Sequence, residues 1–210
     1  MSQGLAAGEI FVVDDDPAVR DALSMVLTLE GYHVTSFAEG SAFIAAARVR
    51  TPICVVLDVH MPGRSGLDIL KELNAQNYGA PIFIISGRGD IPMAVEAIKN
   101  GALDFIEKPF DVDTVVTRIR KAVEASKRRS SERRGGSVQL LQFPGHELLT
   151  PREREVLGHI AGGASNKEVG RLLGISPRTI EVHRARIMEK IGAKNAADLV
   201  RIVLSEGRPH

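Results

Sequence analysis

Along the first half of the chain, short unbroken apolar runs alternate with stretches whose apolar positions recur every three or four residues. Ile10-Phe11-Val12-Val13, Ile53-Cys54-Val55-Val56-Leu57 and Ile82-Phe83-Ile84-Ile85 are continuous and rich in β-branched residues. A strand that shows one face to water alternates polar and apolar residues. These runs do not, so they predict strands covered on both faces, as in a parallel sheet. Weaker strand patterns lie at Val34-Thr35-Ser36 and Asp104-Phe105-Ile106, and helical patterns fall near 17–30, 40–49, 66–76, 91–100 and 111–126. Alternation at this length predicts right-handed βαβ crossovers and an α/β, doubly wound, five-stranded parallel sheet.

Beyond Ala125 the pattern breaks. The run Lys127-Arg128-Arg129-Ser130-Ser131-Glu132-Arg133-Arg134-Gly135-Gly136 is polar and basic and ends in paired glycines. It predicts a frayed helix end followed by a flexible linker; contact with DNA phosphates is the alternative use of its charge. Helical periodicity returns at Thr150, and 148–205 reads as four short helices without strand signals. Thr150-Pro151-Arg152-Glu153 combines an N-cap, a proline in the first turn and a capping-box Glu. That helix carries Val156, Leu157, Ile160 and Ala161 on one face and ends at Gly162-Gly163. A second starts after Ser165 and ends at Gly174, and Ser176-Pro177 opens a third that runs to Ile191-Gly192. Two helices joined by Leu173-Gly174-Ile175-Ser176 fit a helix-turn-helix. The expected organisation is a domain over 1–124, a linker over 125–146 and a small all-α domain over 147–210.

Charge sharpens this division. Of the 210 residues, 1–124 hold 11 Lys and Arg against 17 Asp and Glu, a net of −6, whereas 125–210 hold 16 against 9, a net of +7. An acidic half joined to a basic half suggests two domains with different partners, the basic one suited to nucleic acid. Mean hydropathy near zero is ordinary for a globular chain, and no run reaches the roughly 18 apolar residues of a membrane helix. Met1 to Gly8 lacks the pattern of a signal peptide, and a single cysteine, Cys54, fits a reducing cytoplasm.

Candidate chemistry sits where the strands end. Strand 1 runs into Asp14-Asp15-Asp16, strand 3 into Asp58, strand 4 into Ser86 and strand 5 into Lys108-Pro109. Ligands of open parallel sheets bind outside the carboxyl ends of the strands, so these groups converge on one rim. Each alone reads as a turn residue or a helix cap; four such ends in chain order point to a site. Clustered carboxylates call for a hard cation such as Mg²⁺. With charge neutralised by the ion and by Lys108, Asp58 could attack a phosphoryl group.

Val12-Val13-Asp14-Asp15-Asp16, Leu57-Asp58-Val59-His60-Met61-Pro62-Gly63, Ile85-Ser86-Gly87 and Glu107-Lys108-Pro109-Phe110 together resemble a two-component receiver domain, over nearly all of 8–124. The resemblance implies a flavodoxin-like fold. It implies that Asp58 accepts a phosphoryl group from a sensor histidine kinase, and that Asp14, Asp15, Asp58 and the His60 carbonyl hold Mg²⁺. Ser86 and Lys108 would contact the phosphoryl oxygens, Phe105 would be the rotameric switch and Lys108–Pro109 would be cis. Asp16 either assists through a water or caps the helix at Pro17. The added charge would alter the surface of helix 91–100, where Ile91, Met93, Ala94 and Val95 supply apolar area for a phosphorylation-dependent homodimer.

On the third helix of the basic half, Ile180, His183, Arg184, Ile187 and Ile191 form one stripe, with the isoleucines facing the core. The opposite face carries Arg178, Val182, Ala185, Arg186 and Glu189, with Glu181 at its flank. Such a face suits the major groove, while Lys167, Arg171, Arg184, Lys190 and Lys194 suit phosphates. The segments Leu149-Thr150-Pro151-Arg152-Glu153-Arg154-Glu155-Val156-Leu157, Ser165-Asn166-Lys167-Glu168-Val169 and Ser176-Pro177-Arg178-Thr179-Ile180-Glu181-Val182-His183 resemble a LuxR-type DNA-binding domain. Joined to a receiver, the chain resembles a response regulator of the FixJ/NarL family, nearer the FixJ branch. Gly170 departs from the family by replacing a small helix-favouring Ala, at about 1 kcal/mol in a helix interior.

The resemblance implies a transcription regulator acting on promoter DNA, with RNA polymerase a further candidate partner, and not an enzyme. A flavodoxin-like enzyme would need a glycine loop after strand 1, where three aspartates stand. Intact caps and basic residues oppose an adaptor with a vestigial DNA-binding half. The complete Asp, Ser and Lys set opposes a phosphorylation-independent dimer.

Overall fold

The computed structural model describes residues 8–87, 91–135, 143 and 145–205, with side chains described through 127 in the long fifth helix and through 203 in the last one. The chain divides into two compact units, Met1–Val123 and Glu124–His210.

In the first unit, β1 (Glu9–Val13), β2 (His33–Phe37), β3 (Cys54–Asp58), β4 (Ile82–Ser86) and β5 (Asp104–Glu107) form one all-parallel sheet in the order β2-β1-β3-β4-β5. That order explains the unequal strength of the strand patterns. The three continuous runs are the three central strands, and β3 and β4 are buried at every position. The two weak patterns are the edges, where β2 keeps every residue at least partly exposed. Phe11 meets Phe37 and Phe43 edge-on, with centroids 5.1 and 6.1 Å apart, and Phe37 and Phe43 lie tilted to each other at 5.9 Å.

Helices α1 (Pro17–Leu29), α2 (Gly40–Val49), α3 (Gly66–Glu72) and α4 (Ile91–Lys99) connect the strands, and α5 (Val112–Gly135) follows β5. Asp16 caps α1, its Oδ1 accepting from the Ala18 N–H at 2.9 Å, which realises the capping alternative for that residue. Helix α3 stops short of the expected 76, because Leu73 closes it and Asn74 turns left-handed with φ 49°, a conformation asparagine tolerates. Helix α5 departs in the other direction. Residues 125–135, expected as a frayed end and linker, remain helical to Gly135. Lys, Arg, Ser, Ala and Glu sustain a helix without an apolar stripe, and neither glycine nor proline interrupts the run before Gly135. The rest of the expected linker, 136–142 and 144, lies outside the described residues.

In the second unit, a 3-10 turn (His146–Leu148) precedes α6 (Pro151–Ala161), α7 (Asn166–Leu173), α8 (Pro177–Ile191) and α9 (Ala196–Ser205). Thr150 and Ser165 form reciprocal capping boxes with Glu153 and Glu168. Gly174 ends α7 in the left-handed conformation and Ser176 caps α8, so the chain turns sharply between the two helices. Gly170 is a close-packing position and not merely a weak helix former. A Cβ there would stand 2.7 Å from the Ile175 carbonyl oxygen and 3.3 Å from Pro177 N, inside the turn.

Candidate functional site

At the carboxyl ends of β1 and β3, where the strand order reverses, three carboxylates draw together. Oxygens of Asp14, Asp15 and Asp58 lie within 4.8 Å of one another. Such a set of hard oxygen donors could hold a divalent cation. Asp14 and Asp58 are 1% and 3% exposed, whereas Asp15 faces solvent. Burial of two like charges is offset by Lys108, which arrives from the end of β5 and donates to Asp14 Oδ2 at 2.7 Å and contacts Asp58 Oδ1 at 2.8 Å.

This neutralisation is unequal. Burial pulls the Lys108 ammonium down, but its bonds to both carboxylates outweigh that and raise its pKa above the ordinary value. Burial raises Asp14 above the usual carboxylate range; Lys108 and the Asp16 N–H work against the rise, and nearby Asp58 adds to it. One ammonium shared by two buried carboxylates leaves the pocket short of positive charge.

The pocket backbone is held from several sides. Arg20 Nη1 donates to the carbonyls of Asp14 and Asp15 at 2.7 and 2.9 Å, a tie that no motif signals because its partners are backbone atoms. Asp58 Oδ2 accepts the His60 N–H at 2.6 Å. A Cβ on Gly66 would run into the Asp58 carbonyl oxygen. Ser86 is fully buried at the end of β4, its hydroxyl 3.2 Å from His60 Nδ1 and 3.5 Å from Met93 Sδ. Phe105 on β5 is half-buried, and Lys108–Pro109 is cis. The receiver-site residues expected at the strand ends therefore share one rim.

On α8, Arg178, Glu181 and Ala185 are exposed and Val182 is half-buried, while Lys167 is exposed on α7. Arg184 donates to Asn166 Oδ1 at 2.7 Å. Two residues expected to serve DNA are paired with a carboxylate of α6. Lys190 donates to Glu153 Oε2 at 2.7 Å, and Arg186 Nε stands 3.6 Å from Glu153 Oε1 with its side chain only 14% exposed. Glu153 is completely buried. Burial would raise its pKa, yet Lys190, the Thr150 N–H and Arg186 bring it below the ordinary value. Arg186 and Lys190 thus neutralise an interior carboxylate, which a wheel drawn around α8 alone could not reveal because Glu153 belongs to α6.

Among the described residues no helix is long and apolar enough to cross a membrane. A family model described as the response regulator receiver domain matches residues 10–120, and one described as bacterial regulatory proteins, luxR family, matches 147–203. The chain is similar to the transcriptional regulatory protein FixJ of Bradyrhizobium diazoefficiens, with 43% identity over 95% of this chain and 96% of the relative. It is similar in structure to full-length FixJ from B. japonicum, with a TM-score of 0.55 and 40% identity over 97% of this chain and 98% of that one. Over 56% of its length it also resembles the beryllofluoride-activated NtrC4 receiver domain dimer, covering 98% of that chain at 31% identity and a TM-score of 0.53. With both units matched and FixJ aligned over nearly its whole length, the chain belongs to the response regulators of two-component systems, a receiver with a LuxR-type unit, and it regulates transcription.

Proposed function

We propose that Asp58 accepts a phosphoryl group from a sensor histidine kinase, and that this drives dimerisation and promoter binding. The supporting observation is the contact of Lys108 with both Asp14 and Asp58 beside the exposed Asp15. Asp14, Asp15, Asp58 and the His60 carbonyl would hold Mg²⁺. When bound, the ion neutralises charge on the phosphoryl oxygens. Asp58 supplies a carboxylate oxygen that attacks phosphorus as the bond to the donor imidazole breaks. Lys108 stabilises the added negative charge, and Ser86 supplies a hydroxyl donor from β4. Departure of Ser86 from its resting partners leaves room for Phe105 to turn inward and changes the α4–β5 surface.

That surface already offers apolar area, with Ile91 62% exposed. The NtrC4 relative, described as an activated receiver dimer, supports a homodimer here. The exposed Arg178, Glu181 and Ala185, with Val182, would read base edges in the major groove, while Lys167 and Arg184 would meet phosphates. The output is binding and not turnover, its setting is the cytoplasm, and we assign no surface to RNA polymerase.

Sedimentation and operator binding of the full chain test this reading, each with and without acetyl phosphate and Mg²⁺. Wild type should dimerise and bind more tightly when both are present, and Asp58→Asn should not respond. An Asp58→Asn protein that responds like wild type would overturn it.

A further inference from the structure

His60 touches both groups that the proposed switch must bring together. Its main-chain N–H donates to Asp58 Oδ2 at 2.6 Å, and its ring Nδ1 stands 3.2 Å from the Ser86 hydroxyl. That hydroxyl also reaches Met93 Sδ on α4 at 3.5 Å. A serine hydroxyl has one proton to give. A phosphoryl oxygen only accepts, so to serve it Ser86 must turn its proton away from Met93 Sδ, and away from His60 Nδ1 in the tautomer where that nitrogen accepts; in the other tautomer the ring N–H holds the hydroxyl oxygen. The ring is on the exposed rim of the pocket while Ser86 is fully buried, so the imidazole can be replaced without opening the core.

We propose that the His60 imidazole is a positioning group that holds Ser86 in the resting arrangement, so that phosphorylation must displace it before the switch can turn. This rests on Asp58 being the acceptor. The Asp58–His60 backbone bond and the His60–Ser86 side-chain bond run through a single residue, which couples the acceptor to the switch hydroxyl. Removing the ring takes away one resting partner of the Ser86 hydroxyl and shifts the equilibrium toward the activated arrangement by about fivefold, the equivalent of one ordinary hydrogen bond. Asparagine can offer a polar atom near the Nδ1 position, so His60→Asn should restore the restraint that His60→Ala removes.

The test titrates the full chain with beryllofluoride and Mg²⁺, reading self-association by sedimentation velocity. His60→Ala should reach half-saturation at about one-fifth of the wild-type beryllofluoride concentration, and His60→Asn close to the wild-type value. In a Ser86→Ala background, His60→Ala should change nothing further. That cycle separates a restraint on Ser86 from any other effect of the ring on the pocket. A responsive wild type with His60→Ala unchanged, or shifted equally in both backgrounds, would overturn the restraint alone. A wild type that ignores beryllofluoride would overturn the acceptor reading and this inference with it.

Discussion

His183 is held without a proton inside the LuxR-type unit, and acid should therefore destabilise that unit in a calculable way. The ring is 3% exposed, and among the described residues neither nitrogen has a hydrogen-bond partner. Burial is the main cause lowering its pKa from 6.5 to about 3; Arg152, Arg186 and Lys190 reinforce it, and Glu153 opposes it. The unfolded chain takes up this proton below 6.5 whereas the folded chain does not. Stability from this group is therefore complete above 6.5, and falls by about 1.4 kcal/mol per pH unit on acidification until the folded pKa is reached. Between pH 7.5 and 5 the loss is about 2 kcal/mol. Glu153, with its pKa lowered from 4.5, contributes stability present above 4.5 and lost as pH falls through its folded value, outside that window. The assay is hydrogen exchange of the slowest α8 amides in the full chain, read by mass spectrometry and referred to intrinsic rates at each pH. His183→Leu, of similar volume and without a titrating group, should remove about 2 kcal/mol of the acid-dependent loss. An equal slope in His183→Leu, or a His183 ring resonance titrating near 6.5, would refute the reasoning.

Glu153→Gln should destabilise the same unit by about 2–3 kcal/mol, below the usual range for a broken buried pair because Lys190 keeps some contact with water; exchange of α6 and α8 amides measures it. Gly66→Ala should cost about 1–3 kcal/mol in urea unfolding of the receiver and weaken Mg²⁺ binding, since its Cβ must displace the Asp58 carbonyl. Lys167→Gln should lower the slope of log affinity against log salt by about 0.9 with base preference intact, whereas Glu181→Gln should alter preference at one base position with the slope intact. Operator binding across a salt series distinguishes the two.

Much of this was legible because single segments carried it. Continuous β-branched runs marked the three central strands, and polar residues at the carboxyl ends of four strands marked the pocket. Thr150-Pro151, Ser165 and Ser176-Pro177 marked helix starts through local chemistry. What escaped depends on neighbours distant in sequence. The residues of α5 beyond Ala125 carry no apolar stripe, so periodicity gives no signal for a helix that is nonetheless there. The orientation of Arg186 and Lys190 depends on Glu153, which is 33 and 37 residues away in sequence. Gly170 reads as a weak helix former until the Ile175 carbonyl is seen against it. The His60 ring gave no sign in the motif, where only its carbonyl had an expected use; its bond to Ser86 spans 26 residues.

If Asp58 receives the phosphoryl group, the acyl phosphate can be located on it chemically. The full chain would be treated with acetyl phosphate and Mg²⁺, reduced with borohydride and mapped by peptide mass spectrometry, since reduction converts an aspartyl phosphate to homoserine. Homoserine should replace Asp58, dependent on Mg²⁺, with Asp14 and Asp15 unchanged. Homoserine at another aspartate, with Asp58 intact, would contradict Asp58 as the acceptor.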